Sequence, residues 1–213
     1  MAKKKNSQVP EPALRRLPWY LAYVKLLSKQ GEKVVSSTYI AKSIGVDSAL
    51  VAKDLSYVSL AGKTRVGYDV NNMVEVLEDF LGFNDCHKAC VFGVGNLGAS
   101  LITDRGLNQY GLEIVAGFDV SKDICGSFVG GLPIYHMDQI SEMLTPDITV
   151  GILTVPIHNA QEVTNLMVAH GIKAIWNFTP LRITVPEGVV VQNTSMYAHL
   201  AVMFNRLKEK SRL

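Results

Sequence analysis

The chain has 213 residues, of which 48% are hydrophobic and 19% charged, proportions that fit one large folded domain or two small ones and exclude a disordered chain. No apolar run approaches the ~20 residues a bilayer crossing needs, and the opening MAKKKNSQVP is followed by no apolar signal core, so no membrane association and a cytoplasmic location are expected. The net charge of +2 conceals an asymmetry: residues 1–68 carry 12 Lys and Arg against 4 Asp and Glu, whereas residues 69–213 carry 9 against 15. A basic front joined to an acidic back predicts that only the front meets a polyanion, although Lys3 to Lys5, read as a flexible arm, supply part of the excess.

In chain order, PALRRLPWYLAYVKLLSKQG places apolar residues at Leu17, Tyr20, Leu21, Val24 and Leu27, the period of an amphipathic helix that stops at Gly31. SSTYIAKSIGVDSALVAKDLSYV then predicts two short helices. The first is capped by Ser36 or Ser37, with Ile40, Ala41 and Ile44 inward. After a turn at Gly45 and Val46, Asp47 caps the second, whose apolar side holds Leu50, Val51, Leu55 and Val58. Two helices joined so tightly form a helix-turn-helix pattern. Gly62 and Gly67 then bracket Lys63, Thr64 and Arg65, which predicts a short basic hairpin, a wing.

A connecting helix, NNMVEVLEDFLGF, stops at Gly82, and strands and helices then alternate. The strands are KACVFGVG, EIVAGFDV, LPIYH, ITVGILTVP, IKAIWNF and GVVVQN; helices are expected from Leu97, over 138–144 and over 159–170. That alternation implies an α/β domain with a parallel sheet covered on both faces. A last helix from about Ser195 carries an apolar stripe of Met196, Leu200, Met203, Phe204 and Leu207, too apolar to face water.

Within FGVGNLG, Gly93, Gly95 and Gly98 form GxGxxG after a strand and at the start of a helix, with Val94, Asn96 and Leu97 between them. Gly93 allows the sharp turn, Gly95 lets the backbone approach a pyrophosphate, and Gly98 lets the helix pack closely, while the helix N-terminus offers oriented N–H groups. The triplet alone is common. Asp119, 21 residues beyond Gly98 at the end of the next strand, strengthens it, because a carboxylate there accepts both hydroxyls of a ribose. It would also repel a 2′-phosphate, which favours NAD(H) over NADP(H). Thr154, Val155 and Pro156 of LTVP end a later strand, where such sheets place the far half of their ligand.

Signs of catalysis are weak. His158 follows LTVP, but His136, His170 and His199 fall in helices or at strand ends, and none has a paired carboxylate in view, so no catalytic residue is assigned. CHKAC lacks a second ligand pair, so no metal site is assigned. Cys86, Cys90 and Cys125 cannot all pair within one chain and are expected reduced, and nothing around Cys125 argues for a lowered pKa.

Taken together, RRLPWYL, VSSTYIAKSIGVDSALVAKDLSY, GKTRVGYDV, GVGNLG, FDV, LTVP and NFTP (Asn177 to Pro180) resemble the Rex family of bacterial redox-sensing transcriptional repressors, nearly end to end. The resemblance implies a winged-helix DNA-binding domain over 1–83, a Rossmann domain that senses NADH and NAD+ over 84–193, and a dimerisation helix over 194–213. It implies a homodimer with exchanged C-terminal helices, which binds palindromic operator DNA and lets it go when NADH binds. Gly93 to Gly98, Asp119, Thr154 to Pro156 and Met196 would then meet the cofactor. DNA would be met by Ser48, Lys53, Tyr57, Lys63 and Arg65, and Arg16 would exchange partners as the redox state changes.

The chain departs from the family pattern at several places. Ala52 stands where the family usually has an arginine, Asp104 where it often has a tyrosine, and Ser195 where it often has an aspartate, followed by Met196 as the apolar residue that reaches the partner's nicotinamide. Asp104 thus supplies a carboxylate for Arg16 on the nucleotide-domain side, whereas Ser195 offers only a neutral acceptor. Two other readings stay open: an NAD-dependent oxidoreductase with a basic N-terminal extension, which operator binding would separate from a repressor, and a nucleotide-binding scaffold such as a CoA-binding domain. Asp119 argues against the scaffold, since its carboxylate suits an unphosphorylated ribose.

Overall fold

The computed structural model describes residues 9–63 and 65–211; Lys3 to Lys5 of the expected arm and Thr64 of the expected wing lie outside the described residues. The chain divides into two compact units, Met1–Asn84 and Asp85–Leu213.

The first unit contains α1 (Glu11–Lys29), β1 (Val34–Val35), α2 (Ser37–Ile44), α3 (Ser48–Tyr57), β2 (Tyr68–Asp69) and α4 (Val70–Leu81). Polar side chains set the helix starts. Ser36 is the cap of α2, its hydroxyl accepting from Tyr39 N at 3.2 Å; Asp47 accepts from Ala49 N at 2.7 Å before α3, and Asp69 from Asn72 N at 2.8 Å before α4. Each side chain satisfies an N–H that a helix leaves unpaired in its first turn. Gly45, at φ 75°, ends α2 in the left-handed region and turns the chain into α3.

Leu17, Tyr20, Leu21 and Val24 of α1, Ile40 and Ala41 of α2, Val51 and Leu55 of α3 with Val58 just beyond its end, and Met73 and Leu77 of α4 form one core. Burying each large side chain stabilises the unit by about 1.5–3 kcal/mol. Leu50, expected among them, is only half-buried. The inward position is taken instead by Asp54, a carboxylate 1% exposed.

The expected wing is a loop closed by a single bridge, with Lys63 N donating to Gly67 O at 2.8 Å and Gly67 N to Lys63 O at 2.9 Å. It is too short for a paired ladder of its own. The antiparallel pairing lies at its base, where Val35 faces Tyr68.

In the second unit, β3 (His87–Phe92), β4 (Leu112–Asp119), β5 (Phe128–Val129), β6 (Leu132–His136), β7 (Ile148–Leu153), β8 (Ala174–Asn177) and β9 (Val190–Asn193) form one sheet in the order β5-β6-β4-β3-β7-β8-β9. All pairings are parallel except β5 with β6. That edge hairpin was not foreseen, although Gly130 and Gly131, both at positive φ, make the two-residue turn between Val129 and Leu132. The six parallel strands, taken in chain order, run 3-2-1-4-5-6, the doubly wound arrangement whose order reverses between β3 and β7.

Along β3, Ala89 and Val91 enter one core cluster while Cys90 and Phe92 enter the other, so both faces of the sheet are covered. Helix α5 (Asn96–Thr103) packs on β3 and β4, and α7 (Ala160–Ala169) on β7. The helix expected over 138–144 is shorter. A 3₁₀ turn, Met137–Gln139, leads into α6 (Ile140–Met143), where Gln139 Oε1 accepts from His136 N at 3.0 Å and His136 Nδ1 from Asp138 N at 3.3 Å. Pro146 follows too closely for further turns.

Helix α8 (Met196–Lys210) is capped by Ser195, whose hydroxyl accepts from Ala198 N at 3.2 Å, and buries none of its residues. Among the described residues, no helix is long and apolar enough to cross a membrane.

Candidate functional site

The glycine turn lies between the C-terminal ends of β3, β4 and β7. Gly93 is at φ +95°, and a Cβ on it would come within 2.9 Å of the Thr154 carbonyl oxygen; a Cβ on Gly98 would collide with Gly93 O. Both positions therefore require glycine for close approach. Gly95 differs, because nothing lies within 4 Å of where its Cβ would stand. The crest of the turn is open, and no side chain caps α5 behind it, which leaves N–H groups free for an anion.

Thr154 supports the turn directly. Its N donates to Phe92 O at 2.9 Å and its hydroxyl to Gly93 O at 2.6 Å, so its role here is to hold β7 against the turn. Asp119 holds the other side. Its Oδ2 accepts from Val94 N at 2.6 Å, and its Oδ1 accepts from Val120 N at 2.7 Å and Ser121 N at 2.8 Å. A carboxylate offers about four lone-pair positions, so roughly one stays open, fewer than a ribose diol held through both hydroxyls would use.

Beside Asp119 opens a cavity of about 240 Å³, lined among others by Phe118, Val120, Met137, Val155, Pro156 and Val163. The sheet thus brings together Gly93, Asp119, Val155 and Pro156 of the expected cofactor residues, with Val94 and Thr154 bonded to the same turn. Met196 does not line this cavity; it opens α8 and is 50% exposed.

The lining also includes His158 and Asn159. His158 is exposed, and among the described residues no hydrogen bond ties it to a carboxylate. His170 Nδ1 is taken up by Leu166 O at 2.9 Å, and His136, contrary to the expectation, does have a carboxylate nearby, that of Asp138 at 3.1 Å in its own turn. All three thiols are held in the protonated form: Cys90 is pushed up to about 12 by burial, Cys125 is raised by burial and then by the Asp119 charge, and Cys86 is raised chiefly by its hydrogen bond to Glu113. Among the described residues, no cluster of His, Cys, Asp and Glu could hold a metal ion.

In the first unit, Lys53, Lys63 and Arg65 are exposed and Ser48 and Tyr57 half-exposed. Arg65, at φ 64°, bends the loop tip in the left-handed region that side-chain-bearing residues seldom enter. Arg16 is not free. Its Nε donates to Asp54 Oδ2 at 2.7 Å and its second nitrogen to Oδ1 at 2.9 Å, while Tyr20 Oη donates to Oδ2 at 2.7 Å. Sequence reasoning passed over Asp54. The signal was present: it lies between Val51 and Leu55 on the inward side of α3, where a carboxylate requires a cation, and Arg16 and Tyr20 are one helical turn apart on α1. Asp104, the expected alternative partner, accepts from Gly106 N at 2.6 Å.

Two family models match the chain, one described as "CoA binding domain" over residues 84–181 and one as "Putative DNA-binding protein N-terminus" over residues 8–56. Among curated relatives, the redox-sensing transcriptional repressor Rex of Porphyromonas gingivalis is 62% identical over 204 residues, 95% of this chain and 94% of the relative. That of Bacteroides thetaiotaomicron is 60% identical over 202 residues, 94% and 92% of the two chains. Among solved structures, RSP in complex with beta-NAD+ and operator DNA is similar at a TM-score of 0.90 and 28% identity, with 96% of this chain and 95% of that one covered; RSP in complex with beta-NADH gives 0.86. These relatives are repressors and not oxidoreductases. With the winged-helix pattern, the 3-2-1-4-5-6 sheet and the glycine turn in one chain, and relatives of this identity over nearly its whole length, the chain belongs to the Rex family of redox-sensing transcriptional repressors.

Proposed function

We propose that this chain acts in the cytoplasm as a homodimer that binds palindromic operator DNA and reads the NADH/NAD+ ratio, with NADH releasing the DNA. One observation carries the nucleotide part: the Asp119 carboxylate bonds the glycine turn through Val94 N and at the same time borders the cavity, so turn, acid and apolar pocket form one surface. The residues fit a dinucleotide. Open N–H groups at the start of α5 suit the pyrophosphate, the free lone pair of Asp119 suits a ribose hydroxyl, and the largely apolar cavity suits the adenine. NAD(H) when bound supplies a redox-dependent charge on its nicotinamide ring; the chain's own residues bind and orient it.

For the DNA, α3 enters the major groove with Ser48, Lys53 and Tyr57 outward, and Lys63 and Arg65 of the loop contact phosphate or the adjacent minor groove. For the dimer, α8 supplies the interface and exchanges between subunits. Met196, Leu200, Met203, Phe204 and Leu207 are all at least 40% exposed in the single chain, a contiguous apolar stripe of a kind that marks an interface.

The test is fluorescence anisotropy of labelled palindromic DNA titrated with the protein, then with NADH and separately with NAD+. Release by NADH alone is expected. Truncation after Asn193 should give monomers in sedimentation, and a truncated protein that stays dimeric refutes the role of α8.

A further inference from the structure

The short turn into α7 contains a side chain with no internal task. Asn159 precedes α7 at the N-cap position, where an asparagine ordinarily accepts from an N–H of the first turn; here it makes no such bond. Among the described residues, its Oδ1 is a buried side-chain oxygen without a hydrogen-bond partner. A buried amide oxygen left unpaired costs about 1–3 kcal/mol, and folded proteins retain few of them without a use. Asn159 lines the cavity beside Asp119, whose other walls include the apolar Phe118, Met137, Val155 and Val163.

We infer that Asn159 is the residue that selects the base of the dinucleotide, its Oδ1 accepting a hydrogen bond from the exocyclic amino group of adenine. The inference rests on the dinucleotide reading above and specifies its base. The apolar walls suit the faces of a flat heteroaromatic ring without distinguishing one purine from another. Discrimination then falls to polar atoms at the rim. A buried acceptor requires an N–H donor placed opposite it; adenine has one on its 6-amino group, where hypoxanthine has an oxo acceptor and carries its N–H on N1 instead. A site that contains a polar group for one ligand rejects an analogue that leaves the group unpaired more strongly than it rejects a change in apolar shape.

The test compares NADH with reduced nicotinamide hypoxanthine dinucleotide by calorimetry on the full-length protein. The unmodified protein should bind NADH about tenfold more tightly, the factor that corresponds to ~1.4 kcal/mol. Asn159→Ala should weaken NADH and abolish the preference. Asn159→Asp, which keeps the acceptor but cannot turn an amide N–H towards the 6-oxo group, should keep or widen it. Equal affinity of the unmodified protein for both ligands overturns the assignment and leaves the dinucleotide site standing; so does a preference that survives Asn159→Ala. Binding of neither ligand removes the dinucleotide reading itself. Because the two-ligand comparison needs no variant, a misfolded substitution cannot shield the inference.

Discussion

Arg16 of α1 and Asp54 of α3 are joined by two hydrogen bonds of 2.7 and 2.9 Å, and the Tyr20 hydroxyl places a third, of 2.7 Å, on the same carboxylate. The pair ties the first helix to the helix proposed to enter DNA. The Asp54 side chain is 2% exposed and that of Arg16 19%, so the bond works at low dielectric and against little screening. Asp54→Ala leaves a guanidinium without its partner at the edge of the core. A loss of about 3 kcal/mol in urea unfolding is expected, in line with the breaking of one half of a buried pair. A loss within the range of an exposed pair would show that the contact is dispensable.

The same cluster predicts behaviour in alkali. Burial and then the hydrogen bond to Asp54 push the Tyr20 hydroxyl up to about 12, above the ~10 of an unfolded tyrosine. The folded chain holds this proton more tightly, so the contribution to stability is whole below about pH 10 and is lost as pH rises towards 12. Unfolding midpoints measured from about pH 9 to about pH 11.5 should fall more for the native protein than for Tyr20→Phe, which has no such proton. Parallel curves would contradict the coupling.

Lys53 on α3 and Arg65 on the loop are proposed to meet the DNA, where each cation displaces counterions from the phosphate backbone. Alanine at both should weaken operator binding at fixed salt and lower the slope of log K against log salt by about two, one per lost contact. Ala52 leaves no arginine beside Lys53 to compensate. An unchanged slope would remove these residues from the interface.

Asp119→Ala should reduce NADH affinity by tenfold or more and NADPH affinity by less. Two effects combine. The ribose loses its acceptor, which matters for the unphosphorylated sugar, and Val94 N loses the bond that steadies the glycine turn, which matters for both ligands. Calorimetry that finds equal losses for the two would place Asp119 in support of the turn alone.

We propose that Asp104, which stands where the family often has a tyrosine, takes part in the redox switch. A ligand moves such an equilibrium only by its differential affinity for the two forms, so a carboxylate in place of a tyrosine alters the gap between them. With saturating NADH, Asp104→Asn should change the residual operator affinity while leaving NADH binding within about twofold, roughly 0.4 kcal/mol. If neither the NADH response nor the NADH-free affinity moves, Asp104 has no part in the switch.

The sequence by itself determined what depends on neighbours along the chain. The caps at Ser36 and Asp47, the left-handed stop at Gly45, the alternation of strands and helices and the GxGxxG spacing to Asp119 follow from local periodicity and backbone freedom, which a linear reading captures. NFTP was legible as a motif but not as a device: Asn177 is fully buried and uses all its amide capacity, donating to Leu181 O and Asn193 Oδ1 and accepting from Thr179 N and Oγ1. Only the tertiary structure decided which polar groups meet. Asp54 against Arg16, Thr154 beneath Gly93 and Val94 N on Asp119 all join positions brought together by packing. Their partners are chosen by the requirement that a buried polar atom be satisfied, and that requirement has no period in the sequence.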